Sequence, residues 1–139
     1  MQRIVLDTNV LVSALIRQSY PYLILNELLF EKKISLCISE ALWEEYYEVL
    51  KRDKFSKYPD FIAKAESLLV HIEHHSEKFF PKGKITLIRD VDDNKFLEIS
   101  FASKANFLIT GNTNDFTMKK YKTTKIVTPK EYWENYRTV

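Results

Sequence analysis

Four acidic residues stand where apolar stretches end or turn: Asp7 in "IVLDTNVLVSALI", Glu45 in "SEALWEEYYEVL", Asp93 in "DDNKFLEISF" and Asp115 after "TGNTN". An unpaired buried carboxylate takes up a proton or destabilises the fold, and several together repel one another as well. If these four meet, they demand a cation. All-oxygen donors of this kind suit Mg²⁺ or Mn²⁺ and do not suit structural zinc.

They meet only if the surrounding elements bring them to one place. Apolar runs at 3–6, 34–38, 106–110 and 125–127 read as central strands, with a weaker one at 85–88. Helical patterns fall between them. "YPYLILNELLFEKK" has Pro21 suited to a first helical position, and "SEALWEEYYEVLKR" has Ser39 as its cap. "DFIAKAESLLVHIEHH" and "DDNKFLEISFASK" repeat apolar residues at spacings of three and four, and "TPKEYWENY" offers a capping box from Thr128 to Glu131. Strands apolar on both faces that alternate with helices predict an α/β fold: a parallel sheet of four to five strands, covered by helices on each side as a three-layer α/β/α sandwich.

In such a sheet, ligands gather beyond the carboxyl ends of the strands. Asp7 and "TGNTND" lie at such ends, and the helices beginning near Ser39 and Asp93 start on the same side. On a helical wheel Leu42, Trp43, Tyr46, Val49 and Leu50 form the inner face of the second helix; Glu45 falls on its margin while Glu44 and Glu48 point away. Phe96, Leu97, Ser100 and Phe101 make the inner face of the helix after Asp93, with Asp93 on that face. Taken singly, Asp7, Asn9 and Asp93 read equally well as helix caps, Asp115 as a turn residue and Glu45 as a solvated helix edge. Their convergence on one sheet edge is what favours a metal site.

These stretches resemble the PIN-domain nucleases, in particular the VapC-like toxins of bacterial and archaeal toxin–antitoxin pairs. The likeness is carried by "IVLDTNVLVSAL", "SEALWEEYYEVL", "RDVDDNKFLEISFASKANFLITGN", "TGNTNDF" and "VTPKEY"; residues 55–85 carry no family signal. The resemblance implies that Asp7, Glu45 and Asp93 bind one Mg²⁺ or Mn²⁺, with Asp90 and Asp92 close enough to leave the register of the third acid open. It places Asn112 where the family often has aspartate, with Asp115 shortly after, so that a second ion is weakly held at best. Thr8, Asn9 and Thr110 then orient ligands and substrate. The implied reaction is metal-assisted hydrolysis of RNA by an activated water, leaving a 5′-phosphate and a 3′-hydroxyl. A homodimer and an antitoxin partner are further implications.

RNA needs positive charge near those acids. "KRDKFSK" (51–57) and "KKYKTTK" (119–125) are the local clusters, giving Lys51, Arg52, Lys119 and Lys120 as candidates, with Tyr121 able to stack on a base and Arg17 after the first helix. His71 and His75 have the spacing of two ligands on a helix, but no acid or cysteine nearby completes a site. The aromatic residues, 14% of the chain, read as core or subunit interface.

At 139 residues, with 45% hydrophobic and 29% charged residues and a formal charge of +2, the chain reads as one domain spanning 1–139. The single cysteine, Cys37, forms no internal disulfide, and neither a secretory signal nor a membrane span is legible, so a cytoplasmic protein is expected. Two other functions compete with the metal-dependent endoribonuclease. A phosphatase of the haloacid-dehalogenase kind also starts from a strand ending in Asp, but wants a second Asp where this chain has Asn9. A PIN-like RNA-binding or assembly module, weakened at Asn112, is the other.

Overall fold

The computed structural model describes residues 1–83, 93–112, 116 and 118–138. Its strands are β1 (Arg3–Leu6), β2 (Ser35–Ile38), β3 (Glu77–Lys78), β4 (Phe107–Ile109), β5 (Lys120–Tyr121) and β6 (Thr124–Val127), in the spatial order β3-β2-β1-β4-β6-β5. All neighbours run parallel except β5, which turns back antiparallel on β6. The four runs predicted as strands are the centre of this sheet. The described sheet has six strands where four to five are expected, because β3 and β5 are two residues long and too short to leave a hydrophobic pattern. The weaker run at 85–88 lies outside the described residues.

Helices flank the sheet: α1 (Thr8–Ile16), α2 (Tyr20–Leu23), α3 (Glu40–Leu50), α4 (Phe61–His75), α5 (Asn94–Ser103) and α6 (Pro129–Glu131). Pro21 stands in the first turn of α2, which widens into a π-helical stretch at Ile24–Leu29. The Ser39 side chain caps α3 by accepting from Leu42 N at 3.2 Å. Thr128 and Glu131 form the expected capping box of α6, which continues as a π-helical turn at Tyr132–Tyr136.

The core lies where the helices cover the sheet. Ile4, Val5 and Leu6 of β1 are fully buried, as are Leu42 and Tyr46 of α3 and Phe96, Leu97 and Ile99 of α5. α5 packs on β1, β2 and β4, while α1, α3 and α4 pack on one another. One face assignment is corrected: Phe101 is 56% exposed. Ile99 and Ser103 take the inward positions, and the Ser100 hydroxyl returns a hydrogen bond of 2.7 Å to Phe96 O, so the buried stripe runs to one side of Phe101. Cys37 is a buried core residue whose thiol is pushed up to about 11 by burial.

Candidate active site

β1 delivers Asp7 to the edge of the sheet, and two neighbours fix the delivery. The Asp7 amide donates to Ile109 O of β4 at 3.0 Å. The Tyr46 hydroxyl of α3 donates to Leu6 O at 2.5 Å. That phenol is wholly buried, which holds its pKa well above the ordinary value, with the charges of Asp7 and Glu45 acting in the same direction. It therefore stays a neutral donor throughout the working range of pH.

Asp7 is 4% exposed and its two oxygens have different tasks. Oδ1 caps α1 by accepting from Asn9 N at 3.4 Å, while Oδ2 accepts the Thr110 hydroxyl at 2.6 Å. Thr110 Oγ1 in turn accepts from Asn112 N at 3.0 Å. The capping reading of Asp7 thus holds together with a second role: half the carboxylate starts the helix and half faces the next strand end. Burial raises its pKa, the hydrogen bonds from Thr110, Asn9 and Thr8 lower it, and the charge of Glu45 adds to the rise.

Glu45 reaches inward from α3 as the wheel predicts, with Glu44 and Glu48 exposed. The Thr8 hydroxyl, from the residue after Asp7, donates to Glu45 Oε2. The other oxygen, Oε1, accepts from Lys95 Nζ at 2.8 Å, and both side chains of this ion pair are about four-fifths buried. Lys95 is a residue the sequence reading missed. Its signal was positional: a lysine in the first turn of a helix opposes the macrodipole, and one kept there implies an acid beside it.

Asp93 occupies the N-cap position of α5 without a capping hydrogen bond from its side chain, two residues before Lys95. Among the described residues, no three His, Cys, Asp or Glu side chains gather closely enough to hold a metal ion. The described site joins two carboxylates, Asp7 and Glu45, through Thr8, with Asp93 at the start of the neighbouring helix. Asp90, Asp92 and Asp115 lie outside the described residues.

The donor set nevertheless fits a divalent ion. The two acids offer only oxygen atoms, and the Asp7 carboxylate is buried with its pKa raised by its surroundings; the Lys95 ammonium on Glu45 is a cation that an ion would have to displace. Asp7 and Glu45 would hold the ion, with Asp93 the nearest further candidate.

The other sequence candidates divide by location. Lys51 and Arg52 sit at the far end of α3, where Lys51 pairs with Glu66 at 3.5 Å and Arg52 binds Glu48 through two nitrogens at 3.0 and 2.8 Å. Arg17 lines a cavity of about 300 Å³ with Asn9 and Gly111, adjoining the site. Lys119 and Lys120 line a larger cavity that reaches Thr110. His71 is occupied structurally: its Nε2 lies 3.2 Å from Leu29 O and its ring packs edge-on against Phe30.

The sequence matches the PIN-domain family over residues 3–114. The chain belongs to the PIN-domain family. It is also 32% identical over 143 aligned positions to MJ1680, an uncharacterised protein of Methanocaldococcus jannaschii, the alignment covering 96% of this chain and 91% of that one. PIN domains are three-layer α/β/α folds and generally nucleases, which agrees with the architecture found here and makes the chain a candidate hydrolase. The match takes in Asp7, Glu45, Asp93 and Asn112, ends just before Asp115, and includes the 55–85 stretch in which the sequence alone carried no family signal. Among the described residues no helix is long and apolar enough to cross a membrane.

Proposed function

We propose that this PIN domain, reading residues 1–139 as a single unit, is an endoribonuclease dependent on Mg²⁺ or Mn²⁺. The observation that carries the reading is the doubly tethered Asp7. A buried carboxylate at the end of the central strand is aimed by Thr110, beside a second acid held by Thr8 and Lys95. Such an arrangement is stabilised most by a doubly charged cation.

A bound divalent ion would supply charge for a phosphate oxygen and acidify an attacking water. The chain's own residues do the remainder. Asp7 and Glu45 provide the anionic oxygens, Thr8 and Thr110 fix their rotamers, and Tyr46 pins the strand end from beneath. Asn112 and Asp115 are assigned to a weaker second ion, and Asn9 and Arg17 to the substrate side. Support for RNA as the substrate comes from the VapC-like motifs and the basic residues near the site. The toxin role, a homodimer and an antitoxin partner rest on those motifs as well.

The test is direct. The purified protein with Mn²⁺ or Mg²⁺ cleaves single-stranded RNA, and Asp7→Asn abolishes cleavage while leaving the circular dichroism unchanged. Undiminished cleavage by that variant overturns the assignment. A second reading, a PIN-like RNA-binding module with a weakened site, is favoured by one observation: Lys95 occupies an oxygen of Glu45. It predicts RNA binding with no cleavage under any divalent ion. A phosphatase is disfavoured, since Asn9 is exposed and contributes its backbone, not a second acid, to Asp7.

A further inference from the structure

Two cavities lined by described residues adjoin the site, and the larger lies beside β6. It encloses about 690 Å³, within the range of small-ligand sites, and Thr110 contributes to its lining. Thr110 is the residue whose hydroxyl holds Asp7, so the cavity begins one hydrogen bond from the candidate catalytic carboxylate. From there it runs along β6 toward β5 and the last helical turn.

Its walls are of two kinds. Phe116, Met118 and Tyr136 supply apolar and aromatic surface, while Lys119, Lys120 and Lys125 supply charge. Against these three cations stands, among the described residues that line it, one acid, Glu131, whose carboxylate is engaged at 3.0 Å by the Thr128 amide. Lys125 Nζ sits 4.9 Å from the centroid of the Tyr136 ring, and that ring packs on Phe107 at 5.1 Å, so aromatic and ammonium are held together from below.

The comparison with the other basic cluster decides which one faces the substrate. Lys51 and Arg52 are matched by Glu66 and Glu48. Among the described residues, Lys119, Lys120 and Lys125 form no ion pair with an acid. Unneutralised lysines around an aromatic platform suit a phosphate joined to a planar base.

We propose that this cavity is a nucleotide subsite, holding one nucleotide of single-stranded RNA next to the phosphodiester presented to Asp7. The inference rests on the nuclease reading and adds to it the path of the strand, toward β5 and β6 and away from the end of α3. The lysines neutralise the backbone and Tyr136 with Met118 flanks the base. Recognition of this kind is tolerant of sequence and sensitive to salt.

The test is fluorescence anisotropy of a 5′-labelled single-stranded RNA oligonucleotide with the full-length protein in EDTA, where cleavage is suppressed. The double variant Lys119→Ala/Lys125→Ala weakens binding by about tenfold and lowers the salt dependence by about 1.4 units of slope. Lys51→Ala/Arg52→Ala serves as the control and leaves both unchanged. Both lysine positions are exposed, so folding is not at risk, and Tyr136→Leu provides an independent check of stacking with a several-fold loss. If wild type binds RNA and the Lys119/Lys125 variant binds equally well, the subsite is overturned while the nuclease reading stands. If wild type binds no RNA but binds an acidic peptide, both are overturned.

Discussion

Lys95 Nζ lies 2.8 Å from Glu45 Oε1, so the ammonium of α5 neutralises the carboxylate that α3 sends into the site. A divalent ion bound by Glu45 must compete with this internal cation. Replacing Lys95 by Met should therefore tighten Mn²⁺ binding by about threefold to tenfold. The same change should lower the melting temperature of the metal-free protein by about 2–4 °C, because Glu45 then lacks its partner. Calorimetric titration and a thermal scan in EDTA check the two halves separately. Weaker Mn²⁺ binding by the variant would show that Lys95 orients Glu45 and does not compete for it.

Asp7 gives a pH dependence whose sign follows from its environment. Its folded pKa is raised above the ordinary 3.8, chiefly by burial. The folded state then holds a proton more firmly than the unfolded chain, and stability is lost as pH rises from about that value through the folded pKa. In metal-free buffer at neutral pH, Asp7→Asn should raise the melting temperature by about 2–5 °C, since asparagine keeps the cap and removes the charge. Saturating Mn²⁺ should raise the wild type and leave the variant where it was. A variant less stable than wild type in EDTA would contradict this.

Tyr46→Phe removes the hydroxyl that donates to Leu6 O in a fully buried position. The carbonyl left behind loses its partner, and the expected destabilisation is about 1–2 kcal/mol by urea denaturation. Because Leu6 immediately precedes Asp7, the substitution should also weaken Mn²⁺ binding. A change in stability with metal affinity intact would confine Tyr46 to the core.

Much of this arrangement was legible in the residues themselves. The central strands β1, β2 and β4 have unbroken apolar runs, and the caps at Ser39 and Thr128 have the chemistry their positions require, so the order of strands and helices could be read off directly. Glu45 was found by periodicity, because Leu42, Tyr46 and Leu50 leave only one side of α3 to the core. What periodicity could not reveal was set by tertiary neighbours. Phe101 turned outward because Ile99 and Ser103 face the core in its place. Lys95 was invisible as a partner of Glu45 because the two are fifty positions apart and their pairing depends on how α5 meets α3. Asp7 and Thr110 illustrate the intermediate case: each was singled out, but the hydrogen bond between them follows from β1 and β4 lying side by side.

Lys51 and Arg52 show why a run of charge is a weak guide to a nucleic-acid surface. Both are engaged by acids, the Arg52–Glu48 pair within one helical turn. Their joint replacement by alanine should leave stability almost unchanged, as exposed pairs usually do. Measured by chemical denaturation, a larger loss would mean that the ion pairs anchor α4 to α3.

Asp7 and Glu45 must share a divalent cation for the proposed chemistry to operate. Titrating Mn²⁺ into the metal-stripped protein, followed by calorimetry or by the loss of free-ion electron paramagnetic resonance signal, measures that sharing without reference to any substrate. We expect saturable uptake by the wild type, at least tenfold weaker in Asp7→Asn and again in Glu45→Gln. Equal uptake by all three proteins, or none by the wild type at millimolar Mn²⁺, contradicts it.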